Sequence, residues 1–348
     1  MGRPATIRDV AAQAGLSIAT VSRVLTGNGA VSADSAARVR NAIDALGFRP
    51  NAIGRSLKAA RSRTIGVLVP SLSNPIFAES VGGVQDAAAE RGYSVLVATT
   101  EYDADRESRA IDALLSDRVE GLVLTVADGD RSATLDTLER TGTPFILAYN
   151  EPSDRGRRFV SVDNAAAAGA VAERMLRLGH RKVAMIAGRF RQSDRSRLRH
   201  SGFRAMLEGH GASDPELLEV EFSELRLAAP LADLLAHPEP PTALFASNDL
   251  LALATVRALL DLGLRVPDDV SVAGFDGIAV GELCAPRLTT IIQPARAMGR
   301  RAAELLLDSG DPGSDRIYLP FALRPGESLG PRPDAVPLHS PTEDRIPC

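Results

Sequence analysis

The sequence predicts an α/β protein in which a small all-α module precedes a body of two doubly wound parallel sheets. Helical segments with capping residues occupy the first 48 residues. From Thr64 onward, apolar runs alternate with amphipathic helical stretches, and the alternation starts again after Asp163. The chain has 348 residues, of which 45% are hydrophobic, so it is long and apolar enough for several domain cores.

The N-terminal module, residues 1–48, is predicted to contain three short helices. Thr6 and Asp9 have the spacing of a capping box at the start of the first helix, and Gly15 is suited to end it. Two helices joined by a tight turn that contains a glycine fit the helix-turn-helix pattern, whose second helix enters the DNA major groove. A suitable capping residue precedes each of the three helices: Thr6, Ser17 and Ser32.

The body, residues 63–330, shows two successive blocks of strand–helix units. Continuous runs of Val, Ile, Leu and Ala between amphipathic helices are typical of parallel strands that are covered on both faces. The predicted strands are residues 65–69, 94–99, 121–126 and 144–149 in the first block, and 182–188, 242–247 and 270–276 in the second. We therefore expect two lobes, of about 63–163 with 292–318 and about 164–291 with 319–330.

Two further segments are expected to have little core of their own. Residues 49–62 (RPNAIGRSLKAARS) are polar and basic, and they are long enough for one short helix that is ordered only part of the time. Residues 331–348 are rich in Pro and charge, so we expect a disordered tail.

Charge is distributed unevenly along the chain. Residues 1–63 carry ten basic and three acidic side chains, whereas the rest carries 30 basic and 41 acidic ones. A basic module on an acidic body indicates that a polyanion is bound at one end only.

Several function classes have no support in the sequence. Dinucleotide, Walker and nucleophile-elbow motifs are absent, and neither the five histidines nor Cys284 and Cys348 have ligand spacing, so we expect no enzyme, cofactor or metal site. The segment MGRPATIRDV has no apolar core and no run of 18 apolar residues follows, so we expect a cytoplasmic protein without a membrane partner.

The second helix carries the predicted DNA-reading surface. On a helical wheel, Val21, Val24 and Leu25 cluster on one side, as core residues do. The opposite face has small residues that allow close approach to base edges, and Arg23 has the fork suited to guanine O6 and N7. Thr20 and Ser22 can hydrogen-bond to phosphates. The residues on this outer face are Ala19, Ser22, Arg23 and Thr26. The alternative is a plain three-helix bundle with solvated hydroxyls.

The N-terminal pattern resembles a known family. TIRDVAAQAGLSIATVSRVLTG, then VS, then RVRNAIDALGFRPN resembles the headpiece of the lactose-repressor/galactose-repressor (LacI/GalR) family. The segments TIGVLVPSLSNPIFAE, FASNDLLALA, VAGFD and LTTIIQP continue the resemblance, and they are also similar to periplasmic sugar-binding proteins. The resemblance implies a homodimer or tetramer on near-palindromic operator DNA, with a bilobed, periplasmic-binding-protein-like domain for a small-molecule effector. No heptad pattern follows at the C-terminus, so we expect a dimer.

The resemblance also implies which residues contact DNA. The base-reading positions fall on Ile18, Ala19 and Arg23, and the hinge helix falls on residues 51–59, with Leu57 inserted between central base pairs. The full predicted DNA-binding set is Thr6, Ser17, Ile18, Ala19, Thr20, Ser22, Arg23, Thr26, Asn51, Gly54, Arg55 and Leu57. At position 54 the family often has Ala; glycine costs roughly 0.5–1 kcal/mol in a helix. We therefore expect a weak hinge helix, and Gly54→Ala should tighten operator binding in a gel-shift titration.

An effector site is expected where the carboxyl ends of the strands of the two lobes face each other. The resemblance implies polar effector contacts at Arg199, Asn248 and Asp276, with Gln293 on a crossover. Each candidate also has a structural alternative, as a helix cap or a core residue. The predicted effector-binding set is Asn74, Phe77, Thr99, Tyr149, Arg199, Phe222, Asn248, Asp276 and Gln293, with Tyr102 and Asn150 beside it.

The chemistry of the effector is left open by two features. Trp is absent, so Phe or Tyr must provide any stacking on a sugar ring. The segment 188–202, expected to be a loop beside the cleft, carries five arginines: Arg189, Arg191, Arg195, Arg197 and Arg199. They indicate either a solvated basic surface paired with Asp194 or nearby Glu residues, or a site for an anionic effector. A sugar or sugar derivative is the main expectation. A periplasmic-type solute-binding protein without DNA function is the alternative for the whole chain.

Overall fold

The computed structural model describes residues 5–26, 30–48, 62–153, 156–308 and 315–332. The hinge candidates Asn51, Gly54, Arg55 and Leu57, the side chain of Thr26 and the tail beyond residue 332 lie outside the described residues. The chain divides into two compact units at Ser62/Arg63, and each is described by itself.

The N-terminal unit contains three helices: α1 (Ile7–Ala14), α2 (Ile18–Thr26) and α3 (Ala33–Leu46). Thr6 and Asp9 form the predicted capping box, in which the backbone N–H of Thr6 donates to Asp9 Oδ2 at 2.8 Å. Ser17 Oγ accepts from the N–H of Thr20 at 3.2 Å. The three helices pack around Val10, Val21 and Val39, each 0% exposed.

The first lobe of the body is a parallel sheet with helices on both faces. Its strands in spatial order are β11 (Arg316–Tyr318), β5 (Phe159–Ser161), β4 (Phe145–Ala148), β3 (Leu122–Leu124), β1 (Thr64–Val69) and β2 (Ser94–Thr99). The register sets Val67 beside Val97 and Val123, so apolar side chains line up across the sheet. The helices are α4 (Pro75–Glu90), α5 (Ala104–Ser116), α6 (Ala133–Thr141) and α12 (Ala295–Leu307).

The second lobe repeats this design with one antiparallel strand pair. Its strands in spatial order are β12 (Ala322–Arg324), β10 (Thr289–Ile292), β9 (Ser271–Asp276), β8 (Ala243–Ala246), β6 (Val183–Gly188) and β7 (Glu216–Val220). Only the β10–β12 pair of the described strands is antiparallel. The helices are α7 (Asn164–Arg177), α8 (Asp194–Gly209), α9 (Ala228–Leu235), α10 (Asp249–Asp261) and α11 (Val280–Leu283).

The chain crosses between the lobes three times, after β5, β10 and β11. One apolar core runs through both lobes, from Ile65 in β1 to Phe275 in β9. Helices α4 and α12 approach so closely that a Cβ on Gly83 would lie 1.9 Å from the carbonyl oxygen of Arg296. Because no side chain fits there, glycine at this position lets the two helix backbones touch.

The segment 188–202 is a helix for most of its length, and the expectation of a loop is wrong. A 3-10 turn spans Phe190–Gln192, and α8 starts at Asp194 with Ser193 as its N-cap. The Oγ of Ser193 accepts from the N–H of Ser196 at 3.3 Å, which is the hydrogen bond that starts the helix.

Candidate functional site

The outer face of α2 presents small side chains to solvent. Ser17, Ile18, Ala19 and Arg23 are exposed, while Thr20 and Ser22 are half-buried. Val21 is fully buried, and Val24 and Leu25 pack against the same core, as the helical wheel predicts. The geometry therefore leaves one face of α2 available to lie against a duplex without moving any core residue.

The turn between α1 and α2 is held by Arg38 of α3. Its Nη2 donates to the carbonyl oxygen of Ala14 at 2.6 Å and to that of Gly15 at 3.4 Å. Gly15 has φ of 62°, and a Cβ there would lie 2.7 Å from Arg38 Nη2. Sequence reasoning counted Arg38 only as positive charge, whereas its side chain also satisfies the last carbonyls of α1.

In the body, a cavity lies between the two lobes. It holds about 330 Å³ of space outside protein atoms, part of it open to solvent. Eight of the nine predicted effector residues line it: Asn74, Phe77, Tyr149, Arg199, Phe222, Asn248, Asp276 and Gln293. Six of them lie at or after the carboxyl ends of strands in both lobes, where such sites form in open α/β sheets, while Phe77 lies on α4 and Arg199 on α8.

Thr99 does not line this cavity. It is the last residue of β2, and its neighbour Thr100 lines a second, smaller cavity of about 200 Å³ together with Tyr102 and Glu107. Four residues outside the predicted effector set line the main cavity with polar atoms: Tyr102, Ser193, Arg195 and Ser196. The i, i+4 spacing of Arg195 and Arg199 places both on one helix face and could have indicated Arg195.

Hydrogen bonds join the two lobes around the cavity. Asn74 Nδ2 donates to Asp276 Oδ2 at 3.2 Å, and Asn150 Nδ2 donates to Asp194 Oδ2 at 2.8 Å. The ring of Tyr102 stacks on that of Phe222, with centroids 4.1 Å apart. Asn74 and Asn248 also cap α4 and α10, so the structural alternative holds for these two residues alongside their place in the cavity wall.

Asp276 is the carboxylate at the centre of the cavity wall. Gln293 Nε2 donates to its Oδ1 at 2.8 Å, and Arg199 Nη1 lies 3.7 Å from the same oxygen. Burial raises the pKa of the Asp276 carboxyl, against the opposing charge of Arg199. Burial lowers the pKa of Arg199 to about 10, while Asp276 raises it. The pair therefore offers both hydrogen-bond donors and acceptors in a water-poor site.

Three non-glycine residues of the cavity wall have left-handed or otherwise positive φ. These are Tyr102 (59°), Tyr149 (71°) and Asp276 (126°). Each such backbone costs of order 1–3 kcal/mol and survives only where the surroundings hold it, which is common at binding sites. The backbone strain thus falls at the carboxyl ends of strands, where the side chains converge.

The five arginines of 188–202 divide into two groups. Arg189 and Arg191 pair with Glu221, and Arg197 lies 3.5 Å from Asp128, all at the surface. Arg195 and Arg199 are instead buried, with 5% and 6% of their side chains exposed, and line the cavity. The solvated-surface reading therefore fits the first group and does not fit the second.

The described part of the chain shows neither a membrane-spanning helix nor a metal-binding cluster. No helix there is both long and apolar enough to cross a membrane. No group of three or more His, Cys, Asp and Glu side chains there could hold a metal ion.

The chain is similar to known proteins over nearly its whole length. Residues 62–323 match the family "Periplasmic binding proteins and sugar binding domain of LacI family", and residues 6–51 match "Bacterial regulatory proteins, lacI family". The ribose operon repressor of Escherichia coli (strain K12) is 34% identical over 307 residues, covering 87% of this chain and 92% of that protein.

A second repressor and a solved structure agree with these matches. The transcriptional repressor PurR of Aliivibrio salmonicida is 33% identical over 306 residues, covering 87% of this chain and 92% of its own. A lac repressor dimer crystallised on operator DNA with the anti-inducer ONPF superimposes with a TM-score of 0.82 at 27% identity, covering 94% of this chain and all of that one. The capped three-helix unit, the two-lobed body and these likenesses together place the chain in the LacI family of bacterial regulatory proteins.

Proposed function

We propose that the protein is a transcriptional repressor that binds a near-palindromic operator as a homodimer, with an affinity controlled by a small-molecule effector. The observation that carries the proposal is the combination, in one chain, of an exposed small-residue face on α2 with an interlobe cavity of inward-facing polar side chains. A solute-binding protein without DNA function has no use for the first of these, and the chain matches both the lacI regulatory-protein model and the sugar-binding-domain model.

The proposed DNA contacts follow from the geometry of α2. Ile18, Ala19 and Arg23 read base edges, while Ser17, Thr20, Ser22 and Thr6 approach phosphates. Residues 49–62 form the hinge between a headpiece of residues 1–48 and the body, and Asn51, Gly54, Arg55 and Leu57 contact the minor groove. The tail, residues 331–348, takes no part.

The proposed effector is a small polar molecule held in the interlobe cavity. Arg199, Asn248, Asp276 and Gln293 supply polar contacts, and Phe77, Tyr149 and Phe222 supply apolar cover. The proposed role is binding, in line with the sugar-binding-domain family that the body matches. Regulation of transcription places the protein in the cytoplasm.

The homodimer is proposed from similarity. The lac repressor structure that superimposes on this chain is a dimer bound to operator DNA. We place the dimer contact on the helices of the first lobe, including residues 75–91, as the family resemblance implies.

The proposal is tested by selecting an operator from random DNA with the full-length protein and measuring its affinity by fluorescence anisotropy. We expect a preference of about 10³-fold or more over random duplex, with affinity that falls steeply with salt. The matched control is residues 63–348 alone, which should bind no DNA and still bind the effector. A full-length protein that prefers no sequence, with metabolites added or withheld, would refute the proposal.

A further inference from the structure

Two guanidinium groups stand next to each other on one wall of the interlobe cavity. Arg195 and Arg199 are four residues apart on α8, so their side chains leave the same face of the helix. Both are buried and both line the cavity. Two buried like charges repel each other, and an arrangement of this kind is stabilised when an anion lies between them.

The guanidinium of Arg195 has more N–H groups than its contacts within the described residues use. Its Nη1 donates to the carbonyl oxygen of Val126 at 2.8 Å and lies 3.3 Å from Asp194 Oδ1. Within the residues that the structure describes, both of these contacts are made by Nη1, and the side chain lines the cavity. The bond to Val126 fixes the guanidinium across the lobe boundary, so the remaining donors have a defined direction.

Arg199 is held in the same manner. Its Nε donates to Asn164 Oδ1 at 2.6 Å, its Nη1 donates to the carbonyl oxygen of Ser247, and its guanidinium carbon lies 3.6 Å from the centre of the Phe275 ring. Within the described residues, its side-chain hydrogen bonds are made by Nε and Nη1. Each guanidinium therefore keeps at least one N–H group for a ligand.

The carboxylates nearby are already engaged. Asp194 accepts from Asn150 Nδ2 and from the N–H of Gly129 at 2.9 Å, and it does not line the cavity. Asp276 accepts from Asn74 and Gln293. The charged side chains of the described cavity wall are thus two arginines and one aspartate. The first turn of α8 adds the positive end of the helix dipole on the same side.

Gln293, which is hydrogen-bonded to Asp276, has a buried side-chain oxygen that a ligand can pair. Its Nε2 donates to Asp276, but its buried Oε1 has no hydrogen-bond partner in the described structure. A buried carbonyl oxygen without a donor is costly, so a ligand that supplies an O–H there is favoured. The cavity wall thus combines two guanidinium groups, which favour an anionic group, with an unpaired carbonyl oxygen on Gln293, which favours a hydroxyl group.

We infer that the effector is a small hydroxylated organic anion, with its carboxylate or phosphate group between Arg195 and Arg199 and a hydroxyl group on Gln293 and Asp276. The inference rests on the proposed function, because it takes the cavity to be the effector site. Arg195 is then the residue that selects the charged ligand over the neutral sugar of the same shape, since a planar fork binds a carboxylate or phosphate through two hydrogen bonds.

The first test uses inorganic phosphate as the probe, with sodium chloride at equal ionic strength as reference. Phosphate should raise the Tm of the full-length protein and of Arg197→Gln, a control that removes a surface arginine from the same helix. It should raise the Tm of Arg195→Gln by less than half as much. No increase in the wild type, or an equal increase in Arg195→Gln, overturns the inference.

The second test compares acids with their neutral parents by calorimetry on the full-length protein: gluconate and glucuronate against glucose, and ribose 5-phosphate against ribose. We expect an acid to bind at least about tenfold more tightly than its parent. Arg195→Gln should weaken the acid about 10- to 100-fold, as for a lost charged hydrogen bond, and leave the parent within about twofold. Comparison of gluconate and glucuronate with ribose 5-phosphate shows whether the site binds a carboxylate or a phosphate more tightly.

A neutral parent that binds as tightly as its acid, or an Arg195→Gln variant that weakens both equally, overturns the inference. Operator binding is measured on the same preparations. A protein that binds its operator without anion selectivity contradicts this inference alone. A protein that binds the acids more tightly than their neutral parents but prefers no DNA sequence contradicts the proposed function alone.

Discussion

Arg23 is the one long fork-shaped donor on the exposed face of α2, beside small side chains that let the helix approach the bases. We expect Arg23→Gln to lower the preference for the operator over random DNA by about 1–3 kcal/mol, the value of a good bidentate base contact. Competition anisotropy with both DNAs measures the preference. Arg40→Gln is the matched control, because Arg40 is exposed on α3 and off the reading face. An unchanged preference in Arg23→Gln would exclude this residue from base reading.

Asp249 is a buried carboxyl whose pKa gives the protein a pH dependence. Its Oδ2 accepts from the N–H groups of Gly277 and Ile278 at 2.8 Å, and its Oδ1 accepts from Thr290 Oγ1 at 2.6 Å. Burial and then the neighbouring Asp276 raise its pKa from 3.8 to about 7, despite these three donors. The folded protein therefore holds this proton more tightly than the unfolded chain does.

The sign of the pH effect follows from that shift. The stability that Asp249 contributes is complete below its unfolded pKa of 3.8 and is lost as pH rises through about 7. We expect the wild-type Tm to fall across this window and the fall to be smaller in Asp249→Asn. Burial also raises the pKa of Glu151, to about 7, and the pKa values of Glu107, Asp194 and Asp276, so these groups add to the fall in both proteins. The difference between the two proteins reports Asp249 together with its charge coupling to Asp276. Curves of Tm against pH that run parallel for the wild type and Asp249→Asn would refute the assignment of this pH dependence to Asp249.

At the scale of the element, the turn between α1 and α2 depends on a glycine. Gly15 and Gly47 have similar positive φ, 62° and 56°, but a Cβ on Gly47 would meet nothing within 4 Å. Gly47→Ala thus measures backbone strain alone, about 1–2 kcal/mol. Gly15→Ala adds a close contact with Arg38 to the same backbone strain. We therefore expect Gly15→Ala to lose more operator affinity than Gly47→Ala does. Operator affinity and thermal unfolding of both variants give the comparison; equal losses would mean that the Arg38 contact is unimportant.

The strands show how far sequence patterns reach. The seven strands predicted from continuous apolar runs are present. Six of them are largely buried, as parallel strands covered on both faces are, whereas β2 is an edge strand in which Leu96 and Val97 are exposed. β7 (Glu216–Val220) escaped notice, since an edge strand alternates exposed and half-buried residues and reads ELLEV. β5, β11 and β12 have three residues each, too few for a period to be visible.

Some residues of the cavity wall are predictable from the local sequence, whereas contacts between the lobes are not. Asn74 and Asp276 lie after or at the end of predicted strands, so their convergence at the sheet edges is predictable from the order of elements. Gln293 follows β10, where no strand is predicted, so its place comes from the family resemblance alone. The sequence places Arg195 only among the five arginines of segment 188–202. In a loop, the structure expected for that segment, an i, i+4 relation does not bring two side chains to one face. The pairing of Asn150 with Asp194, 44 residues later, depends on how the lobes close and has no local signal.

At the scale of the molecule, Asp194 connects the lobes. It is the first residue of α8 in the second lobe, and it accepts from Asn150 and Gly129 of the first lobe. Burial raises its pKa, and these donors with Arg195 oppose the rise. The surface pair Arg197–Asp128 also spans the lobes, at 3.5 Å, but it is exposed to water and weak by comparison.

If lobe closure controls operator affinity, a change at Asp194 must be felt at the DNA. Asp194→Ala removes these cross-lobe hydrogen bonds, so we expect lower stability by about 1–3 kcal/mol and a larger radius of gyration in solution scattering. Operator affinity should change with it, although the residue belongs to the body, because the DNA-binding unit responds to the population of closed lobes. Arg197→Gln should leave all three measurements near wild type. An Asp194→Ala protein with open lobes and unaltered operator affinity would show that closure and DNA binding are uncoupled.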